Sequence, residues 1–255
     1  MSKQDLFSEL VTMSGEVGRP ENDYVILGEG NTSARLSDDV FAVKASGKSL
    51  VGATEDCFVE VYFDKVRAML DLPSATDDEV KDLLQLARVD QSNSLRPSVE
   101  TVLHASLLSL PNVNFVAHTH ATAVNMVMCS KNWREAISGR MFPDEIVSCG
   151  ITPVVVEYVD PGLPLAQELH KRVNAYLNDV GTAPKVVLMQ NHGILALGST
   201  AQDVLGTMAM SVKAFRVLAG TYQFGGPNFL TDENVLRISS RPDELYRMKL
   251  IRGLV

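Results

Sequence analysis

The stretch "VAHTHATA", residues 116–123, places two of the chain's five histidines on alternate positions of an apolar run. Side chains on a β-strand alternate between faces, so His118 and His120 share one face and Thr119 points the other way. Each imidazole carries a polar nitrogen that needs a partner, which makes two of them side by side poor core material. They are a good start to a metal site. Residues 114–120 therefore read as a strand, and residues 121–129 behind them as a helix.

Outward from this pair, strand-like runs occupy residues 40–46, 57–63, 152–159, 185–190 and 193–198. Helix-like runs occupy residues 3–15, 98–110, 163–177 and 200–219. Pro97 suits a first helical turn, Glu100 sits where the helix dipole favours an acid, and Ser199 or Thr200 can cap the last long helix. Strands follow one another with only some helices between, which suggests α+β or a mixed sheet, not strictly alternating βαβ units. Residues 71–98 mix Pro, Ser and acidic residues around a short helical pattern. One domain over residues 1–255, with a surface excursion there, is the expectation.

The 255 residues are 45% hydrophobic, enough for a packed core. A net charge of −8 argues against a nucleic-acid partner, whose backbone calls for a basic surface. Cys57, Cys129 and Cys149 are odd in number and form no CxxC pair, which indicates reduced thiols. The first twenty residues lack the apolar core of a signal peptide, and no run approaches membrane-spanning length. A cytoplasmic protein with no membrane partner is expected.

A metal held by His118 and His120 needs further ligands. His192, in "LMQNHGILALG", lies in a tight turn between two apolar strands, where Gly193 gives the backbone unusual freedom. Three histidines with one open position form a known catalytic zinc set. The alternative at this point is a simple turn residue beside a partly exposed HxH pair. Glu100 is the next candidate, as ligand, general base, or each in turn; its plain reading is an acid stabilising a helix dipole. His104, one turn on, reads as a buried supporting residue, and His170 as part of a solvated helix face. Three segments can cradle an anion: "GEGNTSARL" with Gly30 and Asn31, "KASGKSL" with Ser46, Gly47 and Lys48, and "RPSVE" with Ser98. None is a Walker loop or dinucleotide fingerprint.

These motifs, in this order from Gly28 to Gly198, resemble the class II aldolase/adducin family. The resemblance implies an α/β fold, a single-domain α/β/α layered arrangement around a mainly antiparallel central sheet. It implies a divalent metal on His118, His120 and His192, zinc foremost with Mn2+, Co2+ or Fe2+ as alternatives. Glu100 becomes the catalytic acid/base beside the metal and a further ligand. Gly30, Asn31, Ser46, Gly47 and Ser98 become the substrate-phosphate site. The expected reaction is retro-aldol cleavage of a small phosphorylated or acidic ketose through a metal-stabilised enediolate, in a homotetramer with active sites between subunits. Decarboxylation, epimerisation or dehydration of a related substrate are the alternatives. A non-catalytic adducin-like binding protein is the third reading, disfavoured because all three histidines and Glu100 are kept.

The chain departs from the family's sugar-phosphate aldolases in three places. Lys48 follows Ser46-Gly47 where they have threonine, either restoring affinity as a point charge or marking a carboxylate-bearing substrate. Val99 stands where they have a second serine. Where they place a proton-donating tyrosine after the HxH helix, this chain has Phe142, which leaves Asp144 or Glu145 as candidate donors and Tyr222 as a further contributor.

Overall fold

Phe115 and Ala117 pack into one apolar cluster and Val116 into another, so their strand is buried on both faces. That places it inside a sheet. The computed structural model describes residues 2–244 and 246. The strands are β1 (Asn31–Arg35), β2 (Val40–Lys44), β3 (Phe58–Tyr62), β4 (Phe115–Thr119), β5 (Val154–Val156), β6 (Val186–Met189) and β7 (Gly193–Gly198). They form one sheet in the order β3-β2-β1-β4-β7-β6-β5. Every neighbouring pair is antiparallel except β5 and β6, which run parallel.

The helices are α1 (Lys3–Val17), α2 (Phe63–Arg67), α3 (Asp77–Leu86), α4 (Thr101–Leu108), α5 (Thr122–Met128), α6 (Trp133–Ala136), α7 (Pro143–Cys149), α8 (Leu163–Val180), α9 (Ala201–Thr221) and α10 (Asp232–Ser239). Residues of α2, α3, α4 and α8 pack with Phe41, Val43, Val116 and Leu195 on one face of the sheet. Residues of α1, α5 and α9 pack with Ala42, Phe115, Ala117 and Ile194 on the other. The layers are thus α/β/α. Every residue of α4 is buried, its apolar residues and Thr101, His104 and Ser106 alike.

The structure adds one strand and corrects two expectations. Residues 31–35 form a strand, although "NTSAR" is polar; the strand is buried because its hydroxyls are partnered, Thr32 with Ser14 at 2.6 Å and Ser33 with His104 at 2.6 Å. The helix expected from residue 98 begins at Thr101, with Glu100 at its cap position and Thr101 N donating to Ser98 O. Residues 71–98 run mostly over the surface and are anchored there: Val80 and Leu84 enter the core, and Tyr62 N–Ala87 O (2.9 Å) and Val89 N–Glu60 O (3.0 Å) line this segment along the outer edge of β3. The strand expected over residues 152–159 is confined to Val154–Val156. Thr200 caps α9, accepting from Asp203 N. No helix among the described residues is long and apolar enough to cross a membrane.

Candidate metal centre

Cross-strand register builds the first half of the site. Asn31 in β1 stands directly opposite His118 in β4, and Leu195 of β7 flanks His118 on the other side. His120 lies just beyond the end of β4. His192 arrives from the β6–β7 turn, where Asn191 takes the left-handed conformation at φ 54°. The helix that follows His120 grips that turn: Asn125 Nδ2 donates to His192 O at 3.1 Å, and Asn191 N to Met128 O at 3.3 Å. Gly193 is required for closeness, because a Cβ there would lie 2.3 Å from Thr119 O and 3.0 Å from the His120 ring. The conformational freedom expected of Gly193 belongs to Asn191 instead.

The three rings meet. Their centroids are 4.9 to 5.0 Å apart, and each offers a ligand atom within 4.8 Å of the others. His118 Nδ1 donates to Ile194 O at 3.1 Å, so its Nε2 is the nitrogen left with a lone pair, and that atom lies 3.1 Å from His120 Nε2. Glu100 Oε1 completes the group, 3.2 Å from His192 Nε2 and 3.7 Å from His118 Nε2. A tetrahedral ion with ligand bonds of about 2.0–2.1 Å has donor–donor edges of roughly 3.3 Å. Three imidazoles and a carboxylate at these spacings therefore fit a divalent metal. Burial pushes the His118 imidazolium down to about 3 against the pull of Glu100, which keeps the ring neutral near pH 7. Burial likewise lowers His120, aided by His192. Burial opposes the charge on Glu100, yet His118, His192 and the Asn31 amide outweigh it and hold the carboxyl well below the usual range.

Behind Glu100 runs a chain of hydrogen bonds that fixes every orientation in it. Asn31 Nδ2 donates to Glu100 Oε2 at 2.5 Å, so Asn31 Oδ1 must accept, and it accepts from His104 Nε2. His104 Nδ1 then takes the Ser33 hydroxyl at 2.6 Å. His104 is fully buried and its imidazolium is driven down to about 4 by that burial, partly resisted by Glu100. It is a neutral prop, as its position suggested.

The anion-cradling segments converge in part. Ala45 bridges Pro97, and Ser46 N donates to Arg96 O at 2.8 Å, which sets the exposed Ser46-Gly47 turn beside Ser98. Ser98 Oγ accepts from Glu100 N at 3.3 Å. Lys48 is half-buried, and its carbonyl is held by a residue the motifs did not flag, Lys44. Lys44 is 3% exposed, and its ammonium also donates to Gly28 O at 3.2 Å. Burial lowers its pKa while Glu100 raises it. The clue was a lysine inside "VFAVKAS", an otherwise apolar strand.

Other candidates lie elsewhere within the chain. Glu145 is buried at the start of α7, with Oε1 3.0 Å from Arg140 and Oε2 accepting Met141 N at 2.9 Å. Asp144 shares that helix, whose Val147 O binds Lys185 Nζ at 2.7 Å at the end of β6 opposite the His192 turn. Tyr222 is half exposed on a groove lined by Met126, Val127 and Ala219. His170 is half-buried, not solvated: Ser106 Oγ lies 2.8 Å from its Nδ1.

The chain belongs to the class II aldolase family: the model of the Class II Aldolase and Adducin N-terminal domain matches residues 9–219. Family members are metal-dependent enzymes that include aldolases, dehydratases and decarboxylases. The chain is 29% identical over 202 residues to the uncharacterized oxidoreductase YuxG of Bacillus subtilis, a match over 76% of this chain and 27% of that protein, so it spans about a quarter of YuxG. It is 27% identical over 208 residues to methylthioribulose-1-phosphate dehydratase of Geobacillus kaustophilus, over 76% of this chain and 82% of the relative. It is 24% identical over 230 residues to 3-oxo-tetronate 4-phosphate decarboxylase of Haemophilus influenzae, over 87% and 90%. Among solved structures, the N-terminal class II aldolase domain of a Thermoplasma acidophilum protein superposes with TM-score 0.66 at 27% identity, over 84% of this chain and 93% of that one. An L-fuculose 1-phosphate aldolase superposes with TM-score 0.68 over 94% and 96%, and at 18% identity shares the fold alone.

Proposed function

We propose that this chain is a divalent-metal-dependent lyase that cleaves a small phosphorylated or acidic ketose by retro-aldol chemistry. The observation that carries the reading is the meeting of His118, His120 and His192 with Glu100 Oε1 turned into their midst. Zinc is the proposed ion, and when bound it supplies Lewis-acid polarisation of the substrate's carbonyl and hydroxyl oxygens.

The chain's own residues do the rest. Glu100 Oε1 is the atom placed to take and return a substrate proton, while Oε2 is held back by Asn31. Glu100 is ionised in the resting site, because His118, His192 and the Asn31 amide hold its carboxyl well below the usual range. Gly30, Asn31, Ser46, Gly47 and Ser98 are the proposed anion cradle, with Lys44 tying its turns together and Lys48 at its rim. Glu145 is spent on Arg140 and is not proposed as the donor. Asp144 and Tyr222 are the proposed donors to the leaving fragment, serving a neighbouring subunit's triad in a homotetramer.

A second reading, dehydration or decarboxylation of a related phosphorylated substrate, is favoured by two relatives of which the chain covers 82% and 90%. Zinc-loaded protein incubated with a panel of ketose phosphates and keto-acid phosphates separates the two. Aldehyde release supports cleavage, whereas carbon dioxide or a dehydrated ketone supports the second reading. Inertness towards the whole panel by a zinc-replete protein sinks both and revives the binding-protein reading.

A further inference from the structure

His120 meets a second carboxylate on the side of its ring that faces away from the triad. Glu29 Oε1 stands 3.7 Å from His120 Nδ1, while His120 Nε2 faces His118. Glu29 is not a loose surface acid. Its other oxygen, Oε2, accepts from Ile26 N at 3.0 Å, and Glu29 N donates to Ile26 O at 3.0 Å, so side chain and backbone close one tight turn together. Within that turn Leu27 takes a left-handed conformation at φ 54°. Lys44 Nζ hooks the turn through Gly28 O, and Ser49 Oγ through Leu27 O at 3.3 Å. The next residue, Gly30, presses on β4: a Cβ there would lie 2.6 Å from His118 O. One carboxylate oxygen thus holds the turn, and the other is left directed at His120.

We infer that Glu29 is a positioning residue for the metal centre, fixing the His120 ring with its Nδ1 proton outward and its Nε2 lone pair inward. The inference rests on the reading of the three histidines as a metal site. His118 is oriented by a neutral backbone carbonyl, Ile194 O. His120 has a full negative charge in the equivalent place, which makes it the stronger donor of the two. The separation is roughly half an ångström beyond a normal N–H···O contact, so the charge acts across it even before a hydrogen bond closes. Because the turn orients the carboxylate in advance, little side-chain freedom is lost when His120 binds a metal.

The test is zinc affinity of the metal-free protein, by competition with a chromogenic chelator, together with the visible absorption of the Co2+-substituted form. Wild type is compared with Glu29→Ala, Glu29→Gln and His120→Ala. Loss of a carboxylate partner behind a ligand histidine weakens binding by roughly 10–100-fold, and that is expected of Glu29→Ala, with a shifted Co2+ spectrum. Glu29→Gln keeps an oxygen for Ile26 N and so preserves the turn should the alanine variant disturb it, but it turns an uncharged NH2 donor towards His120 Nδ1, so weakened affinity and a shifted spectrum are expected of it too. A residue that merely locks the turn leaves the Glu29→Gln affinity and spectrum at wild-type values, and that result overturns the inference. If His120→Ala loses metal while both Glu29 variants bind as wild type does, this inference alone fails. If wild type itself takes up no metal, the triad reading falls and this one with it.

Discussion

Asn31 stands opposite His118 in the β1–β4 ladder, and the same side chain donates to Glu100 Oε2 at 2.5 Å. One residue therefore ties the strand that carries the first proposed metal ligand to the helix start that carries the acid. The two halves of the site are held in register by an amide, not by the loop between them.

Glu100→Gln removes the charge from this arrangement with little change of shape. The variant is expected to keep its zinc, held by three histidines, and to lose about 10²–10⁴-fold in turnover. Metal analysis beside steady-state rates checks this. A metal-replete variant of normal activity would remove Glu100 from the proton-transfer role.

Gly193→Ala probes the packing of the site. The new methyl would sit 2.3 Å from Thr119 O, a backbone atom that cannot step aside, and 3.2 Å from His118 Cε1. A loss of about 1–3 kcal/mol in stability is expected, with lowered zinc occupancy. Thermal melting of the metal-free protein and metal content of the purified variant are the two readings. A variant unchanged in each would mean that β4 and β7 have slack the geometry does not suggest.

Lys44→Met replaces a buried ammonium that joins two turns through Gly28 O and Lys48 O. Hydrogen bonds from a charged donor contribute about 1.5–3 kcal/mol each. Loosening the anion cradle by the equivalent of one such bond raises the KM for a phosphorylated substrate roughly tenfold. Lys44 touches no ligand atom and reaches the triad only through the turn at Gly28, so any loss of zinc affinity should be smaller than that of Glu29→Ala. An unaltered KM would take Lys44 out of the cradle.

His104 links stability to pH. Its imidazolium is driven from an ordinary 6.5 down to about 4 by complete burial. Between those values the unfolded chain binds a proton that the folded chain refuses, so stability rises with pH across the window and is lost on acidification. The stake for this residue is on the order of 3 kcal/mol. Urea midpoints of the metal-free protein should fall more steeply from pH 7 to pH 4.5 for wild type than for His104→Gln. Equal slopes would show that His104 protonates freely in the native state.

The site was more legible in the sequence than the sheet was. The HxH alternation and the NHG turn signal donor atoms whatever surrounds them, and the three rings do meet. β1 was hidden because "NTSAR" alternates nothing: its polar side chains are buried against Ser14, His104 and Glu100, contacts far away along the chain. Glu29 and Asn125 carried no local mark, since an acid in a turn and an asparagine in a helix are ordinary until their neighbours are known. The short α7 escaped because its role is tertiary, with Cys149 beside Ser211 and Thr207 of α9.

The segment around Ala87 and Val89 has a consequence for life in a crowded solution. By laying its own backbone along β3, the chain occupies the hydrogen-bonding row where a stranger's strand could attach. The opposite rim, β5, extends for only three residues, too short a template for templated growth. A sheet blunted at both margins leaves little open edge for another chain's strand to extend.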